Sequence, residues 1–362
     1  MPVMSHLQKI RDWMGQTGYE AVLLRTRANF AWVTGGGQNH ILLSTPQGVA
    51  DLIIFPERVV CVTSEMEVRR IAEEELTGMD MDFVTIKWTE NADHAIAKLI
   101  NGKKVGSDLP FQGAEDISSA LVTMRSVLDA NQISQYREVG RITVEALENV
   151  AKKLVPGMTE HEIAALLHLE VGAHGARAIV ALVSTDERIY RFRHPIPTGK
   201  VLKQHAMLVV CAEKYGLVGN ATRFVHFGKP SDELRENVEK CAYIDARMQA
   251  MTQPGHTLSD VFNDAIRVYE SLGFPDEWRY LHLGGLTGYA SREIFATPDR
   301  HERMELNQAF AWNPALPGAK SEDTLLVTED APEILTRSID WPIITIQVEG
   351  RRYDRPGLLI ID

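Results

Sequence analysis

The sequence predicts an α/β protein with two domains, and three observations support this prediction. The 362 residues exceed what one ordinary hydrophobic core holds. Before residue 128, short apolar runs typical of strands alternate with helical patterns, which favours a layered α/β domain. After residue 128, a long helical stretch leads into a segment that ends in several short strands. We therefore predict domains over residues 1–128 and 129–362.

The N-terminal elements are predicted from the spacing of apolar residues. Leu7, Ile10 and Met14 recur at intervals that favour a helix. Glu20–Thr26 is an apolar run typical of a buried strand. Two runs rich in β-branched residues flank Pro56–Arg58, which indicates a hairpin.

The C-terminal domain is predicted to begin with helices. Residues 118–154 have an almost wholly helical pattern. Thr159 follows a Pro-Gly turn and precedes Glu162 by three residues, which is the pattern of a capping box. A strand-rich hairpin pattern comes next, and it is followed by helical patterns over Asp232–Met251 and Leu258–Leu272. The remaining residues predict short strands.

Composition excludes several classes of function. A formal net charge of −11 argues against a nucleic-acid surface, which needs a local excess of Lys and Arg. The cysteines are few and widely spaced, which disfavours a disulfide framework and favours a reducing cytoplasm. The first residues lack the apolar core of a signal peptide, and no apolar run is long enough to span a membrane. We expect a cytoplasmic protein that binds neither nucleic acid nor membrane.

Four segments, in order, resemble the creatinase/prolidase/methionine-aminopeptidase family of peptidases, family M24. Residues 154–167 resemble the family's PGxTExEIA helix, and residues 207–230 resemble its metal-binding hairpin. Residues 284–293 fall where the family has GHGIGxxxHE, and residues 309–336 resemble its C-terminal tail. The resemblance implies a creatinase-like N-terminal domain, a pita-bread C-terminal domain and a homodimer.

The family's metalloenzymes hold two divalent cations through two Asp, one His and two Glu residues. Hard cations require such converging anionic oxygens. The resemblance places these five positions on Cys211, Asn220, Gly285, Asn313 and Glu322, so that only the last ligand is retained. Losing several anionic ligands removes most of the attraction that offsets metal dehydration. We expect a degenerate metal site with no metal and no other cofactor. A minority alternative is a single metal held by His282 and Cys211.

His194 is the first candidate catalytic residue. It lies in a segment that resembles the family's PHxxPT motif, whose histidine acts on the substrate side. In creatinase, which also lacks metal, the resemblance assigns that histidine the role of acid and base. An imidazole can exchange a proton near neutral pH without metal. The alternative is a histidine that caps a proline-rich loop.

Glu322 is the second candidate catalytic residue. Glu322 and Asp323 are adjacent in a predicted strand, so their side chains should point to opposite faces, and the resemblance favours Glu322 in the cleft. A buried Glu must be protonated or bonded to a cation, and a guanidinium or amine substrate would supply one. We expect Arg223 to support Asn220 and Glu322.

Six further residues are candidates for substrate binding. Arg292 could hold a substrate carboxylate, or it could pair with Glu293 to hold the turn. The side-chain amides of Asn220 and Asn313, at two of the family's ligand positions, could recognise substrate by hydrogen bonds. Alternatively, they could have no function and simply bond to neighbouring residues or water. Aromatic residues could line the pocket or belong to the core, and Cys211 could be a nucleophile or an inert buried thiol. The candidates are Arg292, Glu293, Asn220, Asn313, His282 and Tyr289.

Three functional hypotheses follow. The first is a metal-independent, creatinase-like hydrolase that cleaves a C–N bond of a small amine, amidine or amino-acid-like substrate, with His194 as acid and base. The second is a Xaa-Pro aminopeptidase or dipeptidase with an altered metal site. The third is a pseudoenzyme that binds a ligand without catalysis. The expected partners are a small-molecule or short-peptide substrate and a second copy of the chain.

Overall fold

The computed structural model describes residues 2–362. It divides into two compact units, Met1–Asn131 and Gln132–Asp362. The predicted boundary between residues 128 and 129 falls in the short connection between two helices that end and begin at Ser126 and Ala130. The sequence pattern had suggested one helical stretch there, but Val127 adopts an extended conformation and interrupts it.

The N-terminal unit alternates strands and helices along the chain, and the π-helical turn Ile71–Glu75 follows its third helix. Its elements are α1 (Pro2–Thr17), β1 (Ala21–Thr26), α2 (Arg27–Thr34), β2 (Gln47–Ile54), β3 (Val59–Ser64), α3 (Val68–Arg70), β4 (Asp82–Ile86), α4 (Ala92–Ile100), β5 (Val105–Ser107), β6 (Ala114–Asp116) and α5 (Ser118–Ser126).

A six-stranded sheet forms the centre of the N-terminal unit, with the order β4-β3-β2-β1-β5-β6. The strand predicted over Glu20–Thr26 is β1, and the hairpin predicted around Pro56–Arg58 joins β2 to β3. Apolar side chains of β1 and its neighbours, among them Leu23, Ile53 and Val105, are buried against α4. The alternation of apolar strands and amphipathic helices therefore produces the layered domain that the sequence predicts.

The C-terminal unit begins with long helices and continues as a strand-rich segment. Its elements are α6 (Ala130–Ala151), α7 (Glu160–Ala173), β7 (Arg177–Thr185), α8 (Glu187–Arg191), β8 (His205–Lys214), β9 (Leu217–Phe227), α9 (Asp232–Ala250), α10 (Leu258–Ser271), β10 (Gly284–Thr287), β11 (Ile294–Phe295), β12 (Ala309–Trp312), β13 (Ala315–Leu316), β14 (Ala319–Lys320), β15 (Asp323–Leu326), β16 (Glu333–Ile334), β17 (Ile343–Val348), β18 (Arg351–Pro356) and β19 (Leu358–Ile361).

Two larger sheets make up most of the C-terminal unit. One has the order β19-β9-β8-β7 and the other β11-β10-β12-β15-β16. An antiparallel bridge between Thr222 and Glu322 joins β9 of the first sheet to the residue that precedes β15 of the second. Helices α6 and α7 bury apolar side chains such as Leu147 and Leu167 against Leu208 and Val210 of β8. The bridge and this core hold the two sheets around one group of polar side chains.

The local signals at the helix ends are accurate. The capping box predicted from Thr159 and Glu162 is present at the start of α7, with both of its reciprocal hydrogen bonds. Helices α9 and α10 end one residue before the predicted limits, at Ala250 and Ser271. A search of the helices within residues 2–362 finds none with both the length and the apolar character that crossing a membrane requires.

Candidate active site

The positions that the resemblance assigns to metal ligands lie on neighbouring strands of the C-terminal unit. Cys211 and Asn220 are direct cross-strand partners in the β8–β9 hairpin. The Asn220 side chain donates to Thr287 Oγ1 of β10 over 3.1 Å, and its backbone NH donates to Thr324 Oγ1 of β15 over 2.8 Å. The backbone NH of Asn313 donates to the Leu283 carbonyl over 3.0 Å, at the end of β10 where Gly285 lies.

Glu322 is the centre of this group, and both of its carboxylate oxygens are bound by the protein itself. Arg292 Nη2 donates to Oε1 over 2.9 Å, and Lys320 Nζ lies 2.7 Å from Oε2. Thr222 Oγ1 also donates to Oε2, over 2.6 Å. Burial alone raises the pKa of Glu322, but attraction to Lys320 and Arg292 outweighs burial and leaves this pKa at about 2. Glu322 is therefore an anion.

These contacts change the role expected for Glu322. The sequence predicted that a buried Glu322 would need a cation and that a substrate would supply it. The structure places two protein cations there, and the exposed fractions of the Lys320, Arg292 and Glu322 side chains are 5%, 6% and 3%. Lys320 was missed by the sequence analysis. Its signal was the spacing of two residues from Glu322, which puts both side chains on one face of an extended segment.

Asp323 faces the other way, as strand alternation predicts. Its carboxylate accepts hydrogen bonds from Arg223 Nη2 over 2.9 Å, Arg355 Nη2 over 2.6 Å and Thr336 Oγ1 over 2.8 Å. Arg223 was expected to support Asn220 and Glu322. Instead its ion pair is with Asp323, and it reaches Glu322 only at the backbone carbonyl, over 3.4 Å.

His194 and His282 lie together beside the Glu322 group, with ring centroids 5.8 Å apart. His194 is exposed and His282 is half-buried. Partial burial, and then the Lys320 charge, lower the pKa of His194. Burial, and then the Arg292 charge, lower the pKa of His282 to about 4. Both imidazoles are therefore neutral at neutral pH, and each can accept a proton.

Arg292 pairs with Glu322 rather than with Glu293. Glu293 Oε1 accepts a hydrogen bond from the backbone NH of Tyr289 over 3.0 Å, which holds the turn. Arg292 Nε is buried and has no hydrogen-bond partner within residues 2–362. The Tyr289 hydroxyl accepts from Gln132 Nε2 over 2.7 Å, and the ring is buried. Arg292 therefore keeps one donor for a ligand, whereas Tyr289 is tied to the surrounding protein.

Asn220 and Asn313 are buried, with exposed fractions of 0% and 2%. The side-chain oxygen of each has no hydrogen-bond partner in the described part of the chain. The same holds for Nδ1 of His282. Buried polar atoms are normally satisfied, so such atoms at neighbouring positions are suited to ordered water or to a ligand.

Cys211 is buried beside the same charges. Burial, and then repulsion from Glu322, raise the pKa of the Cys211 thiol to about 12. A protonated thiol is a poor nucleophile, which favours the inert alternative. Trp312 is fully buried, stacks on Phe310 and donates from Nε1 to Thr252 Oγ1 over 2.8 Å, so it belongs to the core.

The residues present do not fit a family-type pair of divalent cations. A Cβ atom at Gly285 would lie 2.0 Å from the Ile294 carbonyl oxygen, so the backbone leaves no room for a ligating side chain. Lys320 and Arg292 already occupy both oxygens of Glu322. Within residues 2–362, no three His, Cys, Asp or Glu side chains gather in a way that could hold a metal ion.

An open cavity of about 480 Å³ lies next to His194 in the C-terminal unit. Residues 190–194, which include the end of α8, form one wall, and Glu277, Tyr280 and Pro317 complete it. A buried carboxylate, Glu160, holds the segment that follows: it accepts from Thr198 N over 2.9 Å, Thr198 Oγ1 over 2.7 Å and Thr185 N over 2.9 Å, and it pairs with Arg188. These contacts fix both ends of the segment that carries His194.

Comparisons with known proteins agree with this architecture. Residues 134–329 match the model of metallopeptidase family M24, and residues 6–139 match the creatinase/prolidase N-terminal domain. An uncharacterized peptidase of Staphylococcus epidermidis is 20% identical over 363 residues, which cover 92% of this chain and 99% of that protein. One from Staphylococcus aureus is 22% identical over the same length, with the same coverage of both chains.

Solved structures of similar fold include enzymes and a subunit of a larger complex. A Xaa-Pro dipeptidase from Bacillus anthracis has a TM-score of 0.80 at 19% identity, with 99% of this chain and 100% of that chain covered. The prolidase from Pyrococcus horikoshii OT3 has a TM-score of 0.80 at 18% identity, with 92% and 99% covered.

The N-terminal domain of the FACT complex subunit SPT16 from Cicer arietinum has a TM-score of 0.70 at 11% identity, with 92% and 96% covered. At these identities the structural likeness shows the fold alone. The family model, however, covers more than half of the chain. The chain belongs to metallopeptidase family M24 and has the pita-bread fold of the prolidases.

Proposed function

We propose that the chain is a metal-independent hydrolase that cleaves a C–N bond of a small amine, amidine or amino-acid-like substrate. One observation carries the proposal. His194 lines a cavity and stands beside His282, next to a carboxylate whose countercharges are Lys320 and Arg292 of the protein itself. The site thus combines a proton acceptor that needs no metal with fixed positive charge.

The proposed reaction uses His194 as base and then as acid. Neutral His194 accepts a proton from water while the water oxygen forms a bond to the substrate carbon. The C–N bond then breaks, and the imidazolium returns the proton to the departing nitrogen. Positive charge from Lys320 and Arg292 stabilises the negative charge that develops on the substrate oxygen or nitrogen. Glu322 holds the two cations in place and is not consumed.

Activity and metal content together test this proposal. Purified protein is analysed for metals and assayed with N-acyl amino acids, guanidino compounds and X-Pro dipeptides, with and without a chelator. We expect turnover that the chelator does not change and that His194→Ala lowers by about 100-fold or more, as loss of a general acid-base group does. His161→Ala, an exposed histidine on α7, is the matched control and should keep full activity.

The outcome also separates the two other hypotheses. Turnover of X-Pro dipeptides that requires an added divalent cation would contradict the proposal and support an altered Xaa-Pro peptidase, as the names of the structural relatives suggest. Saturable binding without turnover would support a ligand-binding protein. The observation that favours this last alternative is that both oxygens of Glu322 are already bound inside the protein.

A further inference from the structure

Aromatic side chains line the cavity beside His194. The exposed fractions of Tyr190, Phe192 and Tyr280 are 41%, 42% and 67%, and all three line the cavity. Exposed aromatic surface gathered in a concave site is typical of ligand binding. The cavity of about 480 Å³ also lies within the range that small-molecule sites occupy.

The charges on the cavity wall favour an anion. Arg193 pairs with Glu277 over 2.6 Å, so these two charges cancel. Arg191 makes no ion pair with any residue from 2 to 362, and its guanidinium carbon lies 5.4 Å from the centroid of the Phe192 ring. The wall therefore has one surplus cation, although the whole chain has a formal net charge of −11. A local positive site in an acidic protein attracts anionic ligands.

The adjoining cluster of Glu322, Lys320 and Arg292 also has a surplus of one positive charge. Lys320 and Arg292 contribute two positive charges, Glu322 contributes one negative charge, and His194 and His282 are neutral at neutral pH. Both carboxylates of this region, Glu322 and Glu277, are already paired. A cationic substrate would therefore find no unpaired carboxylate here, whereas an anionic substrate finds Arg191 on the cavity wall.

We infer that the cavity binds a small anionic substrate that carries a planar aromatic group. The anionic group contacts Arg191, and the aromatic group packs against Tyr190, Phe192 and Tyr280. This inference rests on the proposed function and narrows its substrate class. It also replaces the amine or guanidinium substrate that the sequence suggested, because two cations of the protein already neutralise Glu322.

Direct binding of four probes tests the inference. Isothermal titration at constant salt compares N-benzoylglycine, which is anionic and aromatic, with neutral N-benzoylglycinamide, non-aromatic N-acetylglycine and cationic benzylguanidine. We expect N-benzoylglycine to bind at least 10-fold more tightly than each of the other three. Equal affinity for the charged and neutral benzoyl probes, tighter binding of benzylguanidine, or no binding by N-benzoylglycine would overturn the inference.

Substitutions of Arg191 locate the effect. Arg191→Gln should weaken N-benzoylglycine binding about 10-fold and leave N-benzoylglycinamide unchanged, because a charge-assisted hydrogen bond is lost. Arg191→Lys should restore part of the loss. The matched control is Arg267→Gln, an arginine on α10 whose side chain is 70% exposed, and it should bind like wild type. A loss that is the same for both benzoyl probes would contradict the assignment of Arg191 to the anion.

Failure of the inference and failure of the proposed function can be told apart. Binding of N-benzoylglycine that depends on Arg191, without hydrolysis of any probe, would leave the inference standing and overturn the hydrolase. Hydrolysis of neutral or cationic amides that depends on His194 and not on Arg191 would overturn the inference and leave the hydrolase. Both results come from the same purified wild-type and variant chains.

Discussion

Glu322 and Asp323 are adjacent residues with similar burial, yet they belong to two different kinds of charge cluster. Asp323 joins Arg223, Arg355 and Asp245 in a network of two cations and two anions, with exposed fractions of 2% or less. Glu322 joins Lys320 and Arg292 in a cluster of two cations and one anion. The first network is balanced and the second is not.

The comparison shows that burial and ion pairing alone do not distinguish a structural cluster from a functional one. A balanced buried network links strands β9, β15 and β18 and has no net charge to offer. An unbalanced cluster keeps positive charge and lies beside two histidines and near buried polar atoms that have no partner in the described chain. A buried surplus charge of this kind destabilises the fold unless water solvates it or a ligand pairs with it.

The largest effect is expected at the balanced network. Arg355→Met should lower the free energy of unfolding by about 3–5 kcal/mol, because it leaves Asp245 and Asp323 without their shared cation. Urea denaturation measures the loss. Arg267→Gln, at an arginine whose own side chain is 70% exposed, should change stability by less than about 1 kcal/mol. A loss at Arg355 as small as that of the control would show that the network is not structural.

A smaller loss is expected at the unbalanced cluster. Glu322→Gln should cost about 2–3 kcal/mol, because Lys320 and Arg292 lose their anion but the neighbouring cavity admits water and dissolved anions. Added sulfate should recover part of the loss in this variant and have less effect on Arg355→Met. A larger loss for Glu322→Gln than for Arg355→Met, or equal recovery of both variants by sulfate, would contradict this distinction between the two clusters.

His205 is a buried titratable group whose two ring nitrogens have no hydrogen-bond partner within residues 2–362. Burial, and then the neighbouring His226, lower the pKa of His205 to about 3, while Asp186 acts in the opposite direction. The unfolded chain binds the proton below about pH 6.5, and the folded chain does so only near pH 3. Stability from this group is therefore present above pH 6.5 and is lost as pH falls.

Because proton binding is linked to unfolding, we expect the free energy of unfolding of the wild type to fall by about 2 kcal/mol between pH 7 and pH 5 through His205. His205→Leu should lack this part of the loss, and His161→Leu, an exposed control, should keep it. Urea denaturation at the two pH values measures the difference. This window lies above the range in which Glu322 gains its proton, so the two effects do not overlap. Identical pH dependence in wild type and His205→Leu would contradict the assignment.

Local sequence signals predicted much of the fold. Apolar spacing located β1 and the β2–β3 hairpin, and the cap formed by Thr159 and Glu162 marked the start of α7. These features depend on neighbours along the chain. The break at Val127, whose backbone is extended, was not predicted, because no glycine or proline marks it in the sequence.

The sequence alone was enough to identify the family and to predict the opposite orientation of Glu322 and Asp323. It also predicted that the family's set of metal ligands is retained only at Glu322. The identity of the cations that surround Glu322 became known only from the folded chain. Lys320 and Arg292 are 28 positions apart in order along the chain, and no local pattern reveals that both meet the oxygens of Glu322. Ion pairs between residues distant in sequence depend on how the strands pack. The net charge of the cluster of Glu322, Lys320 and Arg292 therefore could not be predicted from the sequence.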